Sequence, residues 1–164
     1  MFAGHLAGST RRQVARFPMG FELARDEPCS FCQDLDGSRA NAIVAENDHA
    51  VAEIDERQYE RGAMLVIPRK HRESILDIGD AEIQAVYSLV RVVARAVVSA
   101  FGAKGMNVYQ NNGAKAGQHE PHFHVHVVPR YEASDPNRRF LQRDYDVISL
   151  EAQRAIADMI RKAL

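Results

Sequence analysis

Three things are scarce in this chain, and each scarcity narrows what it can do. Cys29 and Cys32 are the only two cysteines in 164 residues, too few and too close together for the disulfide framework of a small secreted domain. Charge of one sign is lacking as well. The 21 basic and 22 acidic side chains leave a formal charge of −1, so no global field draws the chain to nucleic acid or to an acidic membrane, and any phosphate specificity must be local. Long apolar runs are missing too, since none approaches the roughly 20 residues of a spanning helix. Arg11, Arg12 and Arg16 interrupt the region where the apolar core of a signal peptide would lie. The expectation is a protein of the reducing cytoplasm, without nucleic-acid or membrane partners. With 46% hydrophobic residues the length suits one domain with a proper core, preceded by an extension over residues 1–28 that shows no sustained periodicity.

What is present is a set of short strands around one long helix. Ala42 to Glu46 and His49 to Ile54 flank the polar pair Asn47-Asp48, the pattern of a hairpin. Ala63 to Ile67 reads as a strand halted by Pro68, and Met106 to Val108 as another. From Asp80 to Phe101, apolar residues at 83, 86, 87, 90, 93, 94, 97 and 101 trace a helical stripe, with Asp80 and Glu82 in the first turn and Gly102 at the stop. Leu89 and Val98 lie off that stripe, giving the helix a second face with apolar content. A last helix starts at the N-cap Ser149.

The densest chemistry lies in Pro121-His122-Phe123-His124-Val125-His126-Val127-Val128-Pro129. Strict alternation is the period of a strand, so His122, His124 and His126 share one face while Phe123, Val125 and Val127 pack behind them. Successive same-face positions are roughly 6.7 Å apart, which puts His122 and His126 about 13 Å apart at Cα, too far for one metal to take all three easily. Adjacent members could co-ligate a metal, all three could be structural, or they could divide the work of nucleophile, orienter and proton donor. The loop before them favours the last reading. Between Tyr109 and Gln118, Gly113 and Gly117 let the backbone approach a ligand, and Asn111 and Gln118 offer neutral donors suited to phosphate oxygens.

Cys29-Ser30-Phe31-Cys32 has the bite of a chelating loop. It reads as half a zinc site, a redox pair or two buried thiols. A redox pair should open a helix, whereas Asp34-Leu35-Asp36-Gly37-Ser38 reads as a turn, so zinc leads. Asp55, just after the hairpin, could accept from both hydroxyls of a ribose or be an ordinary turn aspartate, and Phe31 and Ile43 could line a base pocket.

Three motifs in order, Leu65-Val66-Ile67-Pro68-Arg69-Lys70-His71, Asn112-Gly113-x-x-x-Gly117-Gln118 and the His-x-His-x-His-x-x-Pro-Arg run, resemble the histidine triad family over about residues 29–131. The resemblance implies an α+β fold in which an antiparallel sheet carries one long helix and a C-terminal helix, with residues 132–164 completing the domain. It also implies a homodimer joined through the long helix and the strand after it. Nucleotide substrates would be cut or transferred at the α-phosphorus. It makes His124 the nucleophile, places His126 on the same phosphate with Asn111, Gly117 and Gln118 in the cradle, and matches Asp55 to the ribose site. One branch of the family ligates structural zinc at the positions of Cys29, Cys32, His71 and His122.

Two departures stand out. Ala63 occupies a position that commonly carries histidine, and His119-Glu120 replace a small hydroxyl residue and an apolar one. His119 is therefore expected to contact or protonate the leaving group, the alternative being a solvated loop histidine. Two other classes remain open, a nucleotide-binding regulatory protein with little activity and a zinc-stabilised interaction module.

Overall fold

A computed structural model of the chain describes residues 21–23, 28–137 and 145–164. Most of the extension expected over residues 1–28 lies outside the described residues. Helix α1 spans Ser30–Asp36, followed by β1 (Ile43–Glu46), β2 (Ala50–Ile54), β3 (Arg57–Gln58) and β4 (Met64–Pro68). After these come α2 (Asp80–Phe101), β5 (Gly105–Tyr109), β6 (Val125–Arg130), β7 (Asp146–Val147) and α3 (Leu150–Arg161). Five strands form one antiparallel sheet in the order β1-β2-β4-β6-β5, and β3 pairs with β7 beside it.

One face of the sheet carries the core. Ala50, Ala52 and Ile54 alternate toward α2 and α3, where they meet Met64, Val66, Phe123, Val125 and Val127 from β4 and the histidine segment. Alternate residues of the same strands point the other way, and a single register row crosses all five: Ile43, Glu53, Leu65, His126 and Tyr109. That row underlies the functional site. Burial on both sides makes β2 and β4 continuous runs of buried residues, because Phe31 of α1 covers Leu65 and Ile67 on the second face.

Helix α2 has the expected bounds, but its buried stripe is rotated. Glu82, Val86, Leu89, Val90, Val93, Ala96 and Val97 face inward, so Leu89 joins the core while Tyr87 is 43% exposed. Glu82 Oε2 closes the first turn by accepting from Gly79 N–H at 3.1 Å and from Arg72 Nε at 2.9 Å. By length and composition α2 would suffice to cross a membrane, contrary to the sequence expectation. Here Val86, Val93 and Val97 are fully buried against the sheet, with Arg91 and Arg95 exposed on the outside.

Two local expectations change. The turn expected over Asp34 to Ser38 is in part helix. Cys29 caps α1 by accepting from Cys32 N–H through sulfur at 3.4 Å, and the helix persists until Gly37 adopts a left-handed φ of 80°. The strand expected from Pro121 begins only at Val125. β4 ends at Pro68 and pairs with β6 from Val125 onward. Residues before it turn to another neighbour, Phe123 N–H donating to the Arg72 carbonyl at 2.5 Å. Inside and outside alternation survives without ladder pairing, since Phe123, Val125 and Val127 are all fully buried.

Candidate functional site

Four donors converge where α1 meets the histidine segment. The ligand atoms of Cys29, Cys32, His71 and His122 lie within 4.8 Å of one another. His122 Nδ1 stands 3.5 Å from Cys29 Sγ and 3.7 Å from Cys32 Sγ, and His71 Nδ1 stands 3.3 Å from Cys32 Sγ. Zinc bonds of about 2.3 Å to sulfur and about 2.0 Å to nitrogen give a tetrahedron with S···N edges of about 3.5 Å. Three of the S···N separations are thus already close to a tetrahedral edge. His122 Nε2 lies 2.9 Å from the Pro68 carbonyl, which only accepts, so that nitrogen carries the proton and Nδ1 keeps its lone pair for a metal. Burial pushes the Cys29 thiol up to about 12, and a divalent cation among these donors would act in the opposite sense. The set fits a tetrahedral ion, and the short helix that the redox reading required serves here to bring both sulfurs to the histidines.

His124 is set differently. Its ring is 6% exposed, and Nδ1 donates to the His122 carbonyl at 2.7 Å. That bond assigns the tautomer and leaves Nε2 as an open lone pair. Burial, and after it the neighbouring His126, pushes the His124 pKa down to about 3, so the ring is neutral across the physiological range. Phe31 meets it edge-on with centroids 5.1 Å apart, and meets His122 at 5.9 Å. One aromatic ring therefore touches both a histidine of the four-donor group and the neutral one. His126 stands edge-on to His124 at 4.9 Å and is stacked on Tyr109 at 4.5 Å with 6° between the planes. Its Nδ1 lies 3.7 Å from Asp55 Oδ2.

These rings border a cavity of about 990 Å³. Asp55, Asn111, Gly117, His119, His124 and His126 all line it. Asp55 is held by its own turn. Its Oδ1 accepts from Arg57 N–H at 2.9 Å, and its carbonyl accepts from Gln58 Nε2 at 2.5 Å. Gln58 also donates to the Ala63 carbonyl at 3.0 Å, and Asp55 N–H donates to the same carbonyl at 3.1 Å, which ties the turn to the start of β4. Gln118, in contrast, is not among the lining residues. Its Oε1 accepts from Gly113 N–H at 2.6 Å and its Nε2 donates to the carbonyls of Glu73 and Glu120 at 2.7 and 2.9 Å. Fully committed to backbone, it braces the loop that presents Asn111 and Gly117. Gly113 is needed in that loop, for its φ is +83° and a Cβ there would lie 2.9 Å from the Glu22 carbonyl.

Sequence reasoning missed one side of the cavity. Arg39, Asn41, Glu53 and Glu120 line it as well. Glu53 is 3% exposed and accepts from Asn41 Nδ2 at 2.8 Å. Burial first, and the nearby Asp34 second, raise its pKa to about 8. Asp34 is itself clamped by Arg39 through two bonds of 2.6 Å. The signal available in sequence was a glutamate alternating with Val51 and Asp55 in an apolar strand.

The arrangement resembles known proteins in sequence and shape. The HIT domain model matches residues 37–133. Protein hit of Bacillus subtilis (strain 168) is 38% identical over 109 residues, 66% of this chain and 75% of that protein. The adenosine 5′-monophosphoramidase hnt1 of Schizosaccharomyces pombe is 31% identical over 102 residues, 62% of this chain and 74% of its own. Among solved structures, a Hit-like protein from Bartonella henselae superposes with a TM-score of 0.75 at 31% identity, covering 86% of this chain and 99% of that one. A zinc-bound histidine triad family protein from Mycobacterium smegmatis gives 0.69 at 27% identity, covering 83% and 92%. With the domain matched over more than half its length, and with relatives alike in sequence and in fold, this chain belongs to the HIT family.

Proposed function

We propose that the protein is a nucleotide hydrolase or transferase acting at the α-phosphorus of a nucleoside phosphoramidate or dinucleoside polyphosphate through a nucleotidyl-histidine. The observation that carries this reading is the bond from His124 Nδ1 to the His122 carbonyl, which leaves a neutral ring with an open Nε2 beside the cavity. A neutral imidazole approaches a phosphate without anion repulsion. Nε2 of His124 bonds to phosphorus while the bond to the leaving group breaks, and the leaving group departs with the electron pair and a proton from His119. Water then attacks phosphorus, the bond to His124 breaks, and His119 recovers its proton. His126 and the Asn111–Gly117 loop contact the phosphate oxygens, Asp55 accepts from the ribose hydroxyls, and Gln118 holds the loop. A structural zinc ion at Cys29, Cys32, His71 and His122 would fix α1 against the histidine segment. The protein acts as a homodimer. The hydrolase name of the fission yeast relative supports this chemistry.

Turnover of adenosine and guanosine 5′-phosphoramidates and of diadenosine tetraphosphate tests the reading. His124→Ala should lower kcat by about 1,000-fold or more while nucleotide binding persists. A chiral phosphorothioate should be processed with retention at phosphorus, and inversion sinks the covalent intermediate. Removing the proton donor with His119→Gln should abolish one limb of the pH profile, whereas an unchanged profile removes His119 from the mechanism. Binding without turnover in the unaltered protein would make it a nucleotide-binding regulator instead.

A further inference from the structure

Glu53 is a carboxyl group sunk in an otherwise apolar strand, and the fold gives it no role in holding itself together. Its strand neighbours in the same row are Ile43 and Leu65, and Leu65 is followed by His126. Two strand spacings separate Glu53 from His126, roughly 10 Å. A nucleotide with its α-phosphate at His124 and His126 and its ribose on Asp55 would extend its base along this row, over Phe31 and Leu65, which line the same cavity. The far edge of the base then arrives at Glu53 and Asn41.

The polar groups waiting there are acceptors. Asn41 Nδ2 donates to Glu53 Oε2 at 2.8 Å and points to the Asp34 carbonyl at 3.4 Å. The Asp34 carbonyl only accepts, as does Glu53 once ionised, so the amide nitrogen faces them and Asn41 Oδ1 is left as an acceptor. Among the described residues Asn41 is the hydrogen-bond partner of Glu53, and it engages Oε2 alone, so Oε1 is left over. Arg39 lines the cavity beside them, with Nε and Nη2 committed to Asp34.

Resting on the nucleotide reading above, we propose that Glu53, oriented by Asn41, reads the base and selects guanine, whose adjacent ring N–H and exocyclic amine both donate, over adenine, whose edge offers one donor and one acceptor. A site built of acceptors rejects the wrong edge strongly, because a buried acceptor facing another acceptor is left unpaired. Guanine pairs with the ionised carboxylate. The charged groups around Glu53 are Asp34 and Asp55, which oppose ionisation, and Arg39, which favours it. The preference is therefore fullest at alkaline pH.

Calorimetric binding of GMP and AMP at pH 9 separates this proposal from the catalytic one, because it needs no turnover. GMP should bind about tenfold or more tighter than AMP. Glu53→Gln, which keeps an acceptor for Asn41 but presents a donor to the base, should bring the two affinities to within about twofold, mainly by weakening GMP. Asn41→Ala should move the ratio the same way and serves if the glutamine variant does not fold. Equal affinities in the unaltered protein, a preference for AMP, or variants that weaken both nucleotides by one factor would overturn it. Discrimination without any turnover leaves base reading intact and removes only the enzyme.

Discussion

At the level of single residues, the site is made by burial acting on ionisable groups. His124 is neutral because its ring is enclosed and its Nδ1 is tied to a carbonyl, and Glu53 holds its proton for the same reason of enclosure. The second case carries a stability consequence. The native Glu53 pKa is raised from 4.5 to about 8, so between those values the folded chain keeps a proton that the unfolded chain has released. Unfolding then releases a proton, and stability falls as pH rises through that window. The contribution is fully present below about 4.5 and is lost as pH passes 8. A Glu53→Gln variant lacks this loss. Its melting temperature relative to the unaltered protein should rise between pH 5 and pH 8.5, by an amount equivalent to about a few kcal/mol. Thermal scans of both proteins at pH 5, 7 and 8.5 check this, and a difference that stays constant with pH would show that Glu53 ionises freely in the folded chain.

Among the secondary elements, α1 is the smallest and the most dependent on something other than its own sequence. Seven residues cannot hold a helix by propensity. What stabilises it is Phe31 against Leu65 and Ile67, the Cys29 cap, and the convergence of both sulfurs on His71 and His122. If zinc bridges these donors, chelation or Cys32→Ala removes the strongest link between α1 and the histidine segment. Metal analysis of protein purified without added zinc should find close to one ion per chain. The Cys32→Ala variant should lose it and melt roughly 5–15 °C lower. Far less than one ion in the unaltered protein would exclude the metal.

The same element shows where the sequence was legible and where it was not. The bounds of helix α2 could be read to the residue, though not its buried face, because its apolar positions repeat with a helical period and glycines stand at both ends, and the hairpin and the histidine row could be read from alternation. The four donors Cys29, Cys32, His71 and His122, and the cavity-lining Asp55, Asn111, Gly117, His119, His124 and His126, followed from motif order. Helix α1 was hidden because Asp, Gly and Ser after the cysteines carry turn propensity, while the cap that starts the helix is a cysteine sulfur. The two-residue strands β3 and β7 are too short to leave a pattern. Gln118 looked like a ligand-binding amide, since nothing in sequence distinguishes an amide turned to a phosphate from one spent on three backbone groups. Glu53 escaped notice because its meaning depends on which strand lies two places away, and strand order is a property of the whole sheet.

For the molecule as a whole, apolar side chains of α2 and the edge strand β5 are exposed. Tyr87 and Val98 of α2 are 43% and 42% exposed and lie eleven residues apart on one face of the helix, with Arg91 and Ala94 between them. Strand β5 is an edge of the sheet, and its Val108 is 42% exposed. An edge strand without bulge or proline, and a helix face with exposed Tyr87 and Val98 around Arg91, are surfaces that a partner can cover. A second copy, related by a two-fold axis, would cover both at once, because an isologous contact places the same helix and strand of each chain against each other. Light scattering should then give twice the 18.4 kDa chain mass. Introducing charge with Tyr87→Glu and Val98→Glu together should return the single-chain mass. Since β5 also ends at Tyr109, which stacks on His126, the separated chains should lose activity through a higher KM more than through kcat. A single-chain mass for the unaltered protein at micromolar concentration would mean that this flank faces solvent and that each site works alone.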